Sequence, residues 1–444
     1  MSLFGAINTA ISGLGAQSTA FGNISEDVAN SQTVGFKRVD TNFVNYLTTS
    51  TPTENEPGSV VATPDYVNNV QGTITQTDNP LGMAIAGQGF FAVSQATSDV
   101  NNVPTFSPQQ YYTRAGDFTM NAAGYLVNSA GNYLNGWSVN PATGVADQNA
   151  LTPIQVSQST YNPVATSSVT LAANLPATPA TGTATTASPL SSDITVYDSL
   201  GTAHTVTLNW TQNTTGDWNV QVSAADNTTG TTDLGAADVQ FGSVSGNAVA
   251  DGTIGSVAAS ATDPGTVTTS SFSAGQPATL TFDVNFGTGS QAITVNLGDY
   301  GGTNGVTQYA GTTYSLRGLT QNGIPPGSFS GVTTQSNGDV VVNYDNGQSR
   351  TIAQIPIVTF NAPDALQSQN GQAFTATTDS GTPLATTAST NGAGNIVTGS
   401  VEGSNVDIAT EFSSLIVAQQ AYSANAKVVT TADQMLQTTL SMMT

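Results

Sequence analysis

The chain has no cysteine and very little positive charge: its 444 residues include six Lys and Arg, one His and 28 Asp and Glu. Without thiols, neither disulfides nor thiolate metal sites can staple the fold. The basic residues Lys37, Arg38, Arg114, Arg317, Arg350 and Lys427 are scattered, so no basic footprint exists for a phosphate backbone. A formal net charge of −22 adds repulsion. Nucleic acid is therefore excluded as a partner, and electrostatic docking on anionic lipid with it. Nor is there a run of about 18 apolar residues, so no membrane-inserted helix is expected. The segment Met1-Ser2-Leu3-Phe4-Gly5-Ala6 lacks the basic stretch that opens a cleaved secretory signal; export, if it occurs, is expected by a route needing none.

Charge of either sign is sparse. Charged residues are 8% of the chain, against roughly 25% in ordinary soluble proteins. The surface must be built from uncharged polar residues instead. This thins out catalytic chemistry. A hydrolytic triad needs a base, and the single histidine, His204, shares strand parity with Val206, Leu208 and Trp210, which places it on the buried face of a hairpin. Gly87-Gln88-Gly89 lacks the third glycine and following helix of a phosphate cradle and reads as a turn. Asp339, Asp345 and Asn346 match no calcium-loop spacing. No catalytic residue, cofactor or metal site is expected.

What the chain does have is helical periodicity at its ends. Ile7, Ala10, Leu14, Gln17, Phe21, Ile24 and Val28 are spaced 3-4-3-4-3-4, and Phe412, Leu415, Gln419, Tyr422, Ala426, Val429, Asp433, Leu436 and Leu440 repeat the alternation. Each set is a heptad stripe that faces a partner helix, interrupted by one Gln. Ser404-Asn405-Val406-Asp407 fits a capping box, with Ser404 as N-cap and Asp407 reaching back. Gly13, Gly15 and Gly22 each weaken the first helix by about 1 kcal/mol relative to Ala. A lone amphipathic helix has nothing on which to bury its stripe, so both ends are expected to order on association. Spacing alone serves equally an ordinary helix pair within one chain.

The middle reads as β. Ile194-Thr195-Val196-Tyr197, a turn at Asp198-Ser199-Leu200-Gly201, and Val206-Thr207-Leu208-Asn209-Trp210 predict a hairpin. Asn337-Gly338 and Asn346-Gly347 bracket another strand with tight-turn signals. Phe90-Phe91-Ala92-Val93, Tyr111-Tyr112-Thr113 and Phe118-Thr119-Met120 suggest a meander. Residues 172–190, rich in Ala, Thr and Pro, read as a linker or long loop, and 48–64 as an extended arm. The fold class is thus mainly β and multidomain, with helical termini.

Two signatures go further. Ala29-Asn30-Ser31-Gln32-Thr33-Val34-Gly35-Phe36-Lys37 resembles the N-terminal signature of the flagellar rod, hook and hook-associated protein family. Ser404-Asn405-Val406-Asp407, Gln419-Gln420-Ala421-Tyr422 and Asn425-Ala426-Lys427-Val428 resemble its C-terminal partner. Gly87-Gln88-Gly89-Phe90-Phe91 and Tyr112-Thr113-Arg114-Ala115-Gly116-Asp117-Phe118 look like the family's β domain, and Val196-Tyr197-Asp198-Ser199-Leu200-Gly201 with His204 is similar to the outer domain of its hook members. Gln420 and Gly82 stand where the family usually has Arg and Asp, which leaves any ion pairs of those residues open here.

The resemblance implies nested β domains. Residues 1–29 and 404–444 would pair as a coiled-coil-like inner domain, with 30–70 and 395–403 as a connecting arm. An inner β domain would take 71–145 and 316–394, and an inserted outer β domain 146–315. The implied function is that of a structural subunit of the hook, polymerising with itself into a hollow, flexible, torque-transmitting tube with an export channel, the two heptad stripes forming its seams. Implied partners are the distal rod protein, hook cap protein, hook-associated junction proteins and the flagellar type III export apparatus; the implied location is the extracellular hook. A distal-rod or hook-associated protein is the alternative within the family, and a secreted β-rich adhesin the alternative outside it.

Overall fold

The computed structural model describes residues 3–50, 55–100, 103–141, 143–244 and 246–442. The chain opens with helix α1 (Leu3–Ala29), continues into an antiparallel hairpin of β1 (Val39–Ser50) and β2 (Asn55–Tyr66), runs through β structure, and closes with helix α2 (Ile408–Met442). It divides into two compact units. One comprises Met1–Gln158, Ser330–Asn343 and Ser349–Thr444; the other comprises Ser159–Phe329 and Tyr344–Gln348.

In the first unit Phe90–Val100 pairs with Asn132–Ser138 on one side and Tyr111–Thr113 on the other, in register Leu134↔Val93 and Phe91↔Thr113. Both faces of this strand are covered, which is why Phe90-Phe91-Ala92-Val93 is uniformly apolar rather than alternating. Phe90 packs edge-to-face on Phe374 at 5.7 Å, while Phe91 meets Phe118 at 5.8 Å. Two short ladders then bring the returning chain beside the departing one: Met83–Ala86 with Asn395–Thr398, and Ile74–Gln76 with Ser400–Glu402.

The second unit has a five-stranded antiparallel sheet in sequence order: Leu190–Tyr197, Ala203–Thr214, Asp217–Ala224, Asp233–Phe241 and Ile254–Ala259. Its other, six-stranded sheet includes Ser168–Pro176, Pro277–Asn285 and Ser290–Asp299. The two share one core containing Trp210, Trp218, Phe282 and Tyr300. Trp218, Val220, Val222 and Ala224 alternate inward along their strand, and each such burial contributes on the order of 1.5–3 kcal/mol for the larger side chains. The hairpin expected at 194–210 forms with Ile194↔Val206 in register. His204 is half-buried and stacks on Phe286 at 4.0 Å. Gly87 and Gly89 adopt φ of +109° and +118°, as a turn requires.

Three expectations need correction. The expected linker at 172–190 begins inside a strand, Ser168–Pro176, with Leu171, Ala173 and Leu175 fully buried at every second position. Small Ala173 fills its place between them, so its size masked the alternation; the loop is confined to 177–189. The arm at 48–64 is largely hairpin, because β1 and β2 pair along their length. The inserted stretch expected over 146–315 runs from 159 to 329, since Ser315–Gln321 pairs with Ser168–Pro176 and stays with the second unit.

Candidate assembly site: a buried clasp and the terminal helix pair

Below the helices, three charged side chains meet out of solvent. Lys37 Nζ lies 2.6 Å from Glu402 Oε1, and Arg114 Nη1 lies 2.9 Å from Glu402 Oε2; none of the three side chains is more than 2% exposed. Lys37 also donates to Val70 O at 2.6 Å, Gly72 N donates to Glu402 Oε1 at 2.9 Å, and Arg114 donates to Ile85 O and Gly87 O. The Arg114 guanidinium sits 5.3 Å from the centre of the Phe90 ring. Buried charge is tolerated only when it is paired and hydrogen-bonded in this way. Burial pushes the Lys37 ammonium below the usual lysine range, and Glu402 opposes that shift.

The N-terminal signature builds this clasp. Asn30 follows α1, its Nδ2 donating to Glu26 O at 2.9 Å and its Oδ1 accepting from Thr33 Oγ1 at 3.1 Å, so the chain turns directly after Ala29. Gly35 has φ of +70°, its N–H donates to Glu402 O at 2.8 Å, and a Cβ there would lie 2.3 Å from Ala115 N. Only glycine fits, and that fit lets Phe36 and Lys37 follow in place. From the C-terminal side Asn405 accepts from Arg38 N at 2.8 Å, donates to Val67 O at 2.9 Å, and gives its own N–H to Phe36 O. Glu402 escaped the sequence reading. Its signal was that two basic residues in apolar surroundings, Lys37 and Arg114, demanded a carboxylate from elsewhere in a charge-poor chain.

Above the clasp, α1 packs on α2 and on the β1–β2 hairpin. Thr9 Oγ1 donates to Gly58 O at 2.8 Å, Val60 N to Ser12 Oγ at 3.1 Å, and Asn23 Nδ2 to Thr41 Oγ1 at 2.9 Å. The first helix therefore has surfaces on which to bury its stripe within its own chain, against the expectation that it needed a neighbour. Ala10 and Ile24 are buried; Ile7, Leu14, Gln17, Phe21 and Val28 are half-buried. Gly13 has a packing reason, since a Cβ there would fall 2.9 Å from Asn425 Nδ2.

On α2 the expected stripe is displaced by one residue. Leu415, Ala426, Val429 and Leu436 are half-buried, but Phe412, Gln419, Tyr422 and Asp433 are exposed, and the side chain of Leu440 lies outside the described residues. The buried line passes instead through Glu411, Ala418 and Ala432. Small alanines let the helices approach closely, whereas pattern reading favoured their larger neighbours. Tyr422 still touches Phe21 edge-to-face at 6.3 Å. The helix cap is corrected too: Asp407 Oδ1 accepts from Ala409 N at 2.9 Å and Thr410 N at 3.1 Å, making Asp407 the N-cap, while Ser404 Oγ accepts only from Val406 N. Residues 403–406 are held by the clasp, so the helix begins after them.

The second helix presents uncovered apolar side chains, among them Phe412 at 51% and Ile416 at 54% exposure, and Val417 at 65% on the wall of a cavity shared with α1. This cavity of about 570 Å³ opens beside the first turn of α2, lined by Ile24, Arg38, Asp40, Phe43, Glu411 and Ser414 among others. Carboxylate oxygens of Asp27, Asp40 and Glu411 converge there within 4.8 Å of one another. Burial pushes Asp27 up to about 7 even though it accepts from Val39 N, and neighbouring Glu411 and Asp40 add to the rise. Burial likewise raises Glu411, with Asp40 adding and Arg38 opposing. Arg38 is 3.3 Å from Asp40. One carboxylate is thus committed to a backbone amide and one to Arg38, so the trio is not a free cation cage.

Comparison with known proteins covers both units. The model of the flagellar hook protein FlgE/F/G D1 domain matches residues 84–174, that of the flagellar basal body protein FlaE D2 domain matches 165–324, and that of the flagellar basal body rod FlgEFG protein C-terminal matches 397–442. Flagellar hook protein FlgE of Brucella abortus is 29% identical over 440 residues, covering 98% of both chains. The chain belongs to the flagellar hook protein family. The FlgE of Salmonella typhimurium is 28% identical, again over 98% of each chain. The crystal structure of Helicobacter pylori flagellar hook protein FlgE2 aligns at TM-score 0.46 and 14% identity over 72% of this chain and 98% of its own, a distant likeness. As a member of this family the chain is a structural subunit of the bacterial flagellar hook, where it polymerises with itself.

Proposed function

We propose that the terminal helix pair is the polymerisation element, and that copies of it line a hollow, curved, flexible tube that transmits torque from rod to filament. The carrying observation is the clasp. It joins Lys37 to Glu402, 365 residues away in sequence, beneath a helix whose outer face is apolar and uncovered. A monomeric soluble domain has little reason to expose Phe412 and Ile416 together; a polymer buries them. Ile7, Ala10, Leu14, Gln17, Phe21, Ile24 and Val28 on α1 with Leu415, Ala426, Val429 and Leu436 on α2 close the seam inside each helix pair, and Phe412, Gln419, Tyr422 and Leu440 on α2 are left for the seam between subunits. The inserted unit serves as the outer domain, and its polar, charge-poor strands make contacts exchangeable through water as the tube bends.

The chain acts by assembly and not by catalysis. Its finer partners are the distal rod protein, hook cap protein and hook-associated junction proteins, and it leaves the cell through the flagellar type III export apparatus without a cleaved signal. A distal-rod role is disfavoured by the inserted unit. The test is deletion of 159–329: tubes should still form, with altered curvature or stiffness by electron microscopy. Normally curved hooks from that deletion would refute the division of labour.

A further inference from the structure

The cavity beside the first turn of α2 carries an unmatched charge. Glu411 is 4% exposed and is the carboxylate of the trio that no described donor reaches, although it lines the cavity together with Arg38 and Asp40. Arg38 Nε is likewise buried without an acceptor, and Arg38 itself leans on Asp40 rather than on Glu411. With Asp27 holding its proton and accepting from Val39 N, Asp40 and Glu411 share one guanidinium and the site is one cation short.

Candidate cations within this chain are few. Lys37 and Arg114 are spent on Glu402. Arg317 donates to Gly305 O and Thr307 Oγ1 in the second unit, and Arg350, exposed on the β-strand Ser349–Gln354, belongs to neither terminal helix. Lys427 is the only basic residue of α2, is exposed, and has no acceptor among the described residues. It cannot reach the cavity of its own chain: 16 residues of helix put it roughly 24 Å from Glu411.

We propose that the cavity is a socket for Lys427 of a second copy, the ammonium of one subunit closing on Glu411 and Asp40 of the next. This rests on the reading that the terminal helices polymerise, and it adds to the apolar face a polar contact that fixes register. A charge pair closed from water selects one alignment of two helices where an apolar face alone would allow sliding.

The absence of cysteine permits a direct test. Full-length S414C, at the cavity wall, and K427C are mixed, assembled, and treated with a short bifunctional maleimide, since the length of a lysine places the two Cα atoms beyond disulfide reach. Within one chain the two positions are about 20 Å apart along the helix, so joining them requires two subunits. The proposal expects a cross-linked dimer from the mixture and none from either variant alone. It also expects K427Q and E411Q each to raise the critical concentration for assembly about tenfold, the double variant to be little worse than either, and K427R to assemble as the parent does. A polymer that yields no mixed dimer, or yields it equally from S414C alone, would overturn the socket, as would additive effects of K427Q and E411Q. If the parent chain failed to polymerise at all, the assembly reading itself would fall instead.

Discussion

Replacing Glu402 by Gln tests the clasp most sharply. The substitution keeps the side chain's size but leaves Lys37 and Arg114 facing each other without a counter-charge, in a site where no side chain is more than 2% exposed. Removing one partner from a buried pair costs about 3–5 kcal/mol, a large share of the roughly 5–15 kcal/mol that holds a domain together. For a unit of this size each kcal/mol moves the midpoint by about 2–4 °C, so the first unit should melt about 6–20 °C earlier. Lys37→Met should cost less, about 1–3 kcal/mol. It leaves Arg114 and Glu402 as a balanced pair and forfeits chiefly the bond to Val70 O. Trp137 belongs to the first unit and Trp210 and Trp218 to the second, so a W210F/W218F background reports the first unit alone by fluorescence. If Lys37→Met proved as damaging as Glu402→Gln, the charge count underlying the clasp would be wrong.

Three further outcomes follow from named groups. The folded Asp27 carboxyl, pushed up to about 7 from 3.8, binds its proton more tightly than in the unfolded chain. Its contribution is therefore complete below about pH 4, is lost as pH rises to about 7, and is level above that, by at most about 4 kcal/mol. Asp27→Asn, which can still accept from Val39 N, should flatten that slope in denaturant titrations between pH 4.5 and pH 7.5. Asp407→Ala should cost about 1 kcal/mol through loss of the cap, whereas Ser404→Ala should leave the melting curve unchanged. Gly35→Ala meets both a φ of +70° and the Ala115 backbone, and should destabilise well beyond Gly347→Ala, whose φ is +78° but whose surroundings are open; the latter should lose about 1 kcal/mol in the same melts.

Much of the fold was legible because local and global signals agreed. The hairpin at Ile194 and Val206 had β-branched residues, an aspartate turn and Gly201 in the left-handed region, each pointing the same way. The strand through Leu171, Ala173 and Leu175 was hidden because its central inward residue is the size of a linker alanine. The stripe on α1 was placed on its inward face, but on α2 a one-residue rotation separated Phe412 from Glu411 and Gln419 from Ala418. Hydrophobic size pointed to the face that the single chain leaves open; close approach selected the small residues for the face it buries. Glu402 was invisible for a different reason: a buried ion pair joins residues with no sequence relation, and periodicity carries no information about it.

If the outer face of α2 is the polymer's contact surface, sedimentation of assembled tubes from a chain carrying Phe412→Asp and Ile416→Asp reads it out. Both side chains are exposed, so each substitution should cost no more than about 0.5 kcal/mol and the monomer should melt within about 4 °C of the parent. Assembly should be abolished or require much higher protein concentration. Tubes pelleting at the parent's concentration from a well-folded double variant would contradict the account.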